Sequence, residues 1–168
     1  MNKKQNIVLI GMPASGKSTV GVILAKMLGM DFLDTDLVIQ QREKALLCDI
    51  IEQKGIDAFL KCEENSVLSV CPDNTVIATG GSVVYSDTAM QHLMEMATVI
   101  YLRVEKDELF KRLHNIKQRG VVLKDGESLE EMYNTRSILY EKYADIIVDE
   151  GDSDIEGTIE RIQKALNQ

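Results

Sequence analysis

The chain has 168 residues, 27% of them charged, with 27 acidic against 19 basic side chains and a net charge of −8. That length supports one domain, 1–168, around one sizeable core. The acid excess speaks against a general binder of nucleic acid or anionic membrane, because phosphate backbones need a basic face, and no apolar run reaches the ~18 residues of a bilayer span.

The first apolar run, 7–10, is too short for a signal-peptide core and reads with Asn6 as a strand, Asn6–Ile10. A glycine-rich turn follows. Val20, Ile23, Leu24, Met27 and Leu28 then form an i, i+3, i+4, i+7, i+8 helical stripe that Gly29 stops. Asp31–Asp34 is the second strand candidate. A weaker helical stripe runs through Phe59, Cys62, Ser66, Val67 and Val70, and strands are expected at 75–79 and 98–102. Leu109, Leu113 and Ile116 mark another helix.

Two glycines and mixed charge then fill 117–126, read either as a surface loop or as a mobile lid. Ser128-x-x-Glu131 is a capping box that opens a helix carrying Leu129, Met132, Tyr133, Leu139 and Tyr140. A fifth strand at 146–148 and a helix with Ile155, Ile159, Ile162 and Leu166 complete the chain. The acidic stretch 149–154 reads as a loop and helix cap. Solid β-branched strands alternating with amphipathic helices predict an α/β fold, a three-layer α/β/α domain with a parallel sheet. Cys48, Cys62 and Cys71 lack C-x-x-C spacing, which supports neither zinc nor a disulfide framework. They read as core filling, His92 and His114 as exposed, and the chain as a cytoplasmic protein.

Gly11-Met12-Pro13-Ala14-Ser15-Gly16-Lys17-Ser18 matches G-x-x-x-x-G-K-[ST] between a buried strand and an amphipathic helix, the context that phosphate binding requires. Backbone N–H groups from Ala14, Ser15, Gly16, Lys17, Ser18 and Thr19 can surround a phosphate at the helix N-terminus. Lys17 is placed to reach the β and γ phosphates, and Ser18 to offer its hydroxyl to Mg²⁺. No N-K-x-D base-reading motif occurs. Instead Asp34-Thr35-Asp36 ends the second strand, where residues two apart share a face. One carboxylate can hold the Mg²⁺ shell while the other accepts a proton from a substrate hydroxyl; the plainer alternative is a polar turn or helix cap.

With Gly55-x-x-x-Phe59 and Glu63, Ala78-Thr79-Gly80-Gly81, Arg119, and Arg136-x-x-Leu139-Tyr140, the chain resembles the shikimate kinase family over nearly its whole length. The resemblance implies a P-loop kinase fold with a five-stranded parallel sheet of order 2-3-1-4-5, a lid over ATP, and phosphoryl transfer from Mg·ATP to a ring hydroxyl of shikimate. It implies that Asp36 binds and helps deprotonate the acceptor, that Asp34 lies near Mg²⁺, and that Arg119 closes onto the phosphates. Arg112 would lie along the adenine, Gly80, Gly81 and Ser82 against the acceptor, and Arg136 on its carboxylate. A small-molecule substrate, no nucleic acid, no membrane and a monomer are the expected partner states. The chain departs from the family pattern at Leu60, where an arginine is expected, at Gly80-Gly81-Ser82 in place of three glycines, and at Arg119-Gly120-Val121-Val122 in the lid. The alternatives are a related kinase acting on another small hydroxy-metabolite and a nucleotide-binding module without catalysis.

Overall fold

The structure, a computed structural model, describes residues 6–114, 121–151 and 154–167. Its strands are β1 (Asn6–Ile10), β2 (Asp31–Asp34), β3 (Thr75–Ala78), β4 (Ala97–Arg103) and β5 (Ile146–Asp149). Its helices are α1 (Lys17–Leu28), α2 (Thr35–Glu43), α3 (Leu47–Lys54), α4 (Ile56–Leu68), α5 (Asp87–Met96), α6 (Lys106–His114), α7 (Leu129–Tyr143) and α8 (Ile155–Leu166). The strands form one parallel sheet in the order β2-β3-β1-β4-β5, as expected. No helix among the described residues is long and apolar enough to cross a membrane.

Every residue of β1 is buried because the central strand is covered on both faces. Side chains alternate along it. Ile7 and Leu9 pack with Ile100 and Leu102 against Val20 and Leu24 of α1 and Ile159 and Ile162 of α8. Val8 and Ile10 join Ile77, Val99 and Tyr101 on the other face, under Met90 and Leu93 of α5 and Met132 and Tyr140 of α7. A third, much smaller cluster lies beyond β2: Ile39, Ile50 and Phe59 from α2, α3 and α4, closed by Val122.

Both predicted caps form. Ser128 and Glu131 make the reciprocal capping box of α7, and the Asp154 carboxylate accepts from Gly157 N at 2.9 Å at the start of α8. Three expectations are corrected. His92 is half-buried, its Nε2 2.9 Å from the Val70 carbonyl, because α5 packs against the end of α4. Cys71 is exposed and Cys48 only half-buried, so neither fills the core, whereas the half-buried Cys62 packs against the third cluster. Asp34 and Asp36 do not share a strand face, since β2 ends at Asp34 and Asp36 already belongs to α2. Ile116, the 117–120 part of the expected lid, Arg119 and the His114 side chain lie outside the described residues.

Candidate active site

The chain turns at the C-terminal ends of β1, β2 and β3 meet at one cleft, the place where parallel α/β sheets bind ligands. Its volume is ≈ 150 Å³. The loop after β1 is tightly bent: Ala14 has φ 65° and Gly16 φ 79°. Glycine takes that conformation freely, whereas Ala14 adopts it at a cost of ~1 kcal/mol or more. The first turn of α1 has no side-chain cap, which leaves its N–H groups available to a ligand. Ala14, Gly16, Lys17, Ser18 and Thr19 all line the cleft, while Ser15 is buried behind it, its N–H bonded to the Met12 carbonyl at 3.1 Å.

Lys17 is almost wholly buried. Its ammonium donates to the Gly11 carbonyl at 2.9 Å, the Met12 carbonyl at 2.6 Å and the Ser15 hydroxyl at 3.3 Å. Burial lowers its pKa to about 8, against the pull of Asp36 and Asp34. Ser18 donates to Asp34 Oδ2 at 2.6 Å, and Asp34 Oδ1 accepts the Asp36 N–H at 2.9 Å. Asp34 is therefore both the cap of α2 and the partner of the loop hydroxyl. The cap reading is realised on Oδ1, while Oδ2 holds the loop hydroxyl.

Helix α2 turns Asp36 into the cleft, where its carboxylate makes no hydrogen bond among the described residues. Burial and then the charge of Asp34 raise its pKa to about 6, opposed by Lys17. Across the cleft Gly80, Gly81 and Ser82 follow β3, with Gly80 N donating to the Thr35 hydroxyl at 3.3 Å and Tyr140 OH to the Gly81 carbonyl at 2.5 Å. A Cβ on Gly80 would press on Glu63 Oε1 and lie 2.9 Å from Asp36 Oδ1, so a larger residue there would displace these carboxyl groups.

Arg136 is the largest fully buried side chain of the described residues. It enters the cleft from α7, donates to the Val122 carbonyl and to Tyr85 OH at 3.2 Å, and stands 5.1 Å from the centre of the Tyr85 ring. Its Nη1 points toward Gly81, 3.3 Å from where a Cβ would be. Lys17, Ser18, Asp36, Gly80, Gly81, Ser82 and Arg136 are thus brought together. Arg112 stands apart at the rim. It is tied to Glu108 at 3.0 Å and Glu150 at 2.8 Å, with Nη1 3.4 Å from the Ala14 carbonyl.

Sequence reasoning assigned no role to Glu63 or Tyr85 and placed Val122 only within the lid 117–126. Glu63 carried a readable signal, an acid on the same helical face as Phe59, Ser66 and Val67, all of them buried. Tyr85 carried none, and the lid motif did not show Val122 as a partner of Arg136, because only the tertiary fold brings the two residues onto that side chain.

Comparison with known proteins gives a consistent result. The shikimate kinase family model matches residues 13–167. Shikimate kinase from Histophilus somni is 37% identical over 152 residues, which are 88% of this chain and 87% of that protein. The structure of shikimate kinase from Aquifex aeolicus superposes with a TM-score of 0.82 at 30% identity, covering 96% of each chain. That from Acinetobacter baumannii, in complex with shikimate, gives 0.88 at 26% identity, covering 96% of this chain and 92% of the other. With the phosphate loop, the sheet order and the cleft all in their expected places along the matched length, the chain belongs to the shikimate kinase family.

Proposed function

We propose that this protein transfers the terminal phosphoryl group of ATP to a ring hydroxyl of shikimate, with Mg²⁺, as a monomeric single-domain enzyme of the cytoplasm. The observation that carries the reading is the cleft itself, where a phosphate loop and a buried guanidinium, Arg136, flank the unbonded carboxylate of Asp36.

The donor set fits a nucleotide phosphate: α1 starts without a side-chain cap, and Gly16, Lys17, Ser18 and Thr19 all line one cleft. Ser18 and Asp34, already 2.6 Å apart, form an oxygen pair of the kind that holds magnesium directly or through water. When bound, Mg²⁺ neutralises charge on the phosphates. Lys17 then adds its positive charge from the loop, and Arg119 closes over the phosphates with the lid 117–126. Arg112, beside Ala14, flanks the nucleotide base. Asp36 accepts the proton of the acceptor hydroxyl, for which a carboxylate ionised near neutrality is suited. Gly80, Gly81 and Ser82 offer a backbone surface that the acceptor can approach closely. Arg136, with Nη1 toward Gly81, holds its carboxylate.

Leu60 favours a second reading within the same chemistry, a related kinase acting on another small hydroxy-metabolite, because it stands where the family pattern has a second guanidinium for the acceptor carboxylate. Steady-state ADP release over a panel of shikimate, other hydroxy acids and sugars separates the two. Shikimate giving the highest kcat/KM is the expected result, and turnover confined to another acceptor overturns it.

A further inference from the structure

Glu150, the residue just past β5, ties together β4, α6 and α8. Its N–H donates to the Arg103 carbonyl of β4 at 2.9 Å, and its carbonyl accepts from Arg161 Nη1 of α8 at 2.7 Å. Arg161 Nη1 also donates to the Asp149 carbonyl at 2.6 Å, and the Asp149 carboxylate accepts from Arg103 Nη2 at 2.8 Å. The backbone that carries Glu150 is thus fixed from both sides. Its side chain is 10% exposed, and Oε2 accepts from Arg112 Nη1 of α6 at 2.8 Å.

Arg112 is held from its own helix as well, where Nε donates to Glu108 Oε1 at 3.0 Å. Nη1 stands 3.4 Å from the Ala14 carbonyl of the phosphate loop. The N–H bonds of a guanidinium lie in the plane of the group. Partners for Nε and Nη1 on two different elements therefore set the orientation of that plane before any ligand arrives. They also meet its charge, two carboxylates against one guanidinium. An arginine beside a phosphate loop without such partners would be drawn onto the phosphates themselves. With these donors engaged in the plane, Arg112, 29% exposed, offers its flat face beside the loop, which suits a planar aromatic ring. Glu108 is the weaker of the two anchors. It is 44% exposed and only one turn away on the same helix, a pairing worth a few tenths of a kcal/mol by ordinary measure.

We propose that Glu150 is a positioning residue for the nucleotide base. It acts through Arg112, holding the guanidinium plane where the base stacks on it and keeping that charge off the phosphates. The role rests on reading the cleft as an ATP site with Arg112 along the base.

The test is titration calorimetry with Mg·ATP and with magnesium inorganic triphosphate, which has the phosphates and no base. Glu150→Met should weaken ATP about five- to tenfold, the range of a lost guanidinium–ring contact, and leave triphosphate within about twofold. Glu150→Gln keeps an acceptor for Nη1 and should hold ATP within about threefold of wild type. In an Arg112→Met background, adding Glu150→Met should cost less than about twofold more, because the two side chains act as one unit. Equal weakening of both ligands by Glu150→Met, or an ATP loss that persists in full without Arg112, overturns the proposal. Arg112→Met binding ATP as wild type does overturns the base reading of Arg112 and the proposal with it. Weak ATP binding there, with normal ATP binding in Glu150→Met, overturns the proposal alone. Arg112→Lys keeps the charge without the plane and leaves Glu150 intact, so it decides the matter where Glu150→Met fails to fold. It should lose ATP affinity about as much as Arg112→Met while triphosphate binding holds, and wild-type ATP binding in that variant overturns the proposal.

Discussion

The two halves of the cleft are built in opposite ways. The nucleotide half is consecutive, residues 11–19 wrapped between the central strand and the helix that packs on it, and it rests on the two large cores. The acceptor half is assembled from Asp36, Glu63, Gly80 to Ser82 and Arg136, which stand on α2, α4, the turn after β3 and α7. It leans on the small cluster of Ile39, Ile50, Phe59 and Val122. A contiguous loop on a rigid strand tolerates little change without losing phosphate binding. A site gathered from four elements can alter one side chain, such as residue 60, while the phosphate loop stays intact.

Substitutions that remove charge from each half should separate them most sharply. Asp36→Asn should lower kcat by about 10²–10⁴-fold, the usual range for a lost general base, with ATP affinity unchanged in a nucleotide titration. Lys17→Ala should cost as much in turnover but weaken ATP as well, because its ammonium also ties the loop carbonyls. Near-full turnover of Asp36→Asn at saturating acceptor would place the proton elsewhere.

Arg136→Met comes next. Loss of a charge-assisted contact of ~1.5–3 kcal/mol should raise KM for shikimate by roughly ten- to a hundredfold, again sparing ATP. It should also lower Tm, since Arg136 joins α7 to Val122 and Tyr85. An unchanged KM for shikimate with a lowered Tm would make Arg136 a purely structural residue.

A smaller effect lies in the pH dependence of stability. Glu63 binds its proton more tightly in the folded protein, about 7 against an ordinary 4.5. Its contribution is therefore complete below the ordinary value and lost as pH rises through the folded one. Glu63→Gln has no such loss, so its Tm relative to wild type should climb between pH 5 and pH 8, by about 2–4 °C for each kcal/mol. A difference that stays constant over that range contradicts a protonated Glu63.

The same contrast explains what could be read from the residues alone. The five strands, the phosphate loop and the Ser128–Glu131 box are local patterns, and the fold places all of them within a residue or two of expectation. Helices α2, α3 and α5 escaped notice. The first two are short with broken apolar stripes, and α5 opens on a Ser86 cap without a glutamate three residues on. Asp34 and Asp36 were read as two strand residues because a strand end and a helix start look alike over three residues. The neighbours of Arg136 and the unpaired oxygen of Glu63 were out of reach, since contacts of α7 with Val122 and of α4 with Gly80 exist only once the chain has folded.

The division between the halves is tested most directly at residue 60. Leu60 is half-buried and lines, with Glu63, Glu64 and Tyr85, a cavity of ≈ 200 Å³ beside the acceptor cleft, with room for a longer side chain and carboxyl groups to steady it. Leu60→Arg should place a second guanidinium near the acceptor carboxylate. Steady-state kinetics should then show KM for shikimate falling by about tenfold or more while KM for ATP stays within about twofold. Both constants moving together, or neither moving, would contradict an acceptor half that varies independently of the phosphate loop.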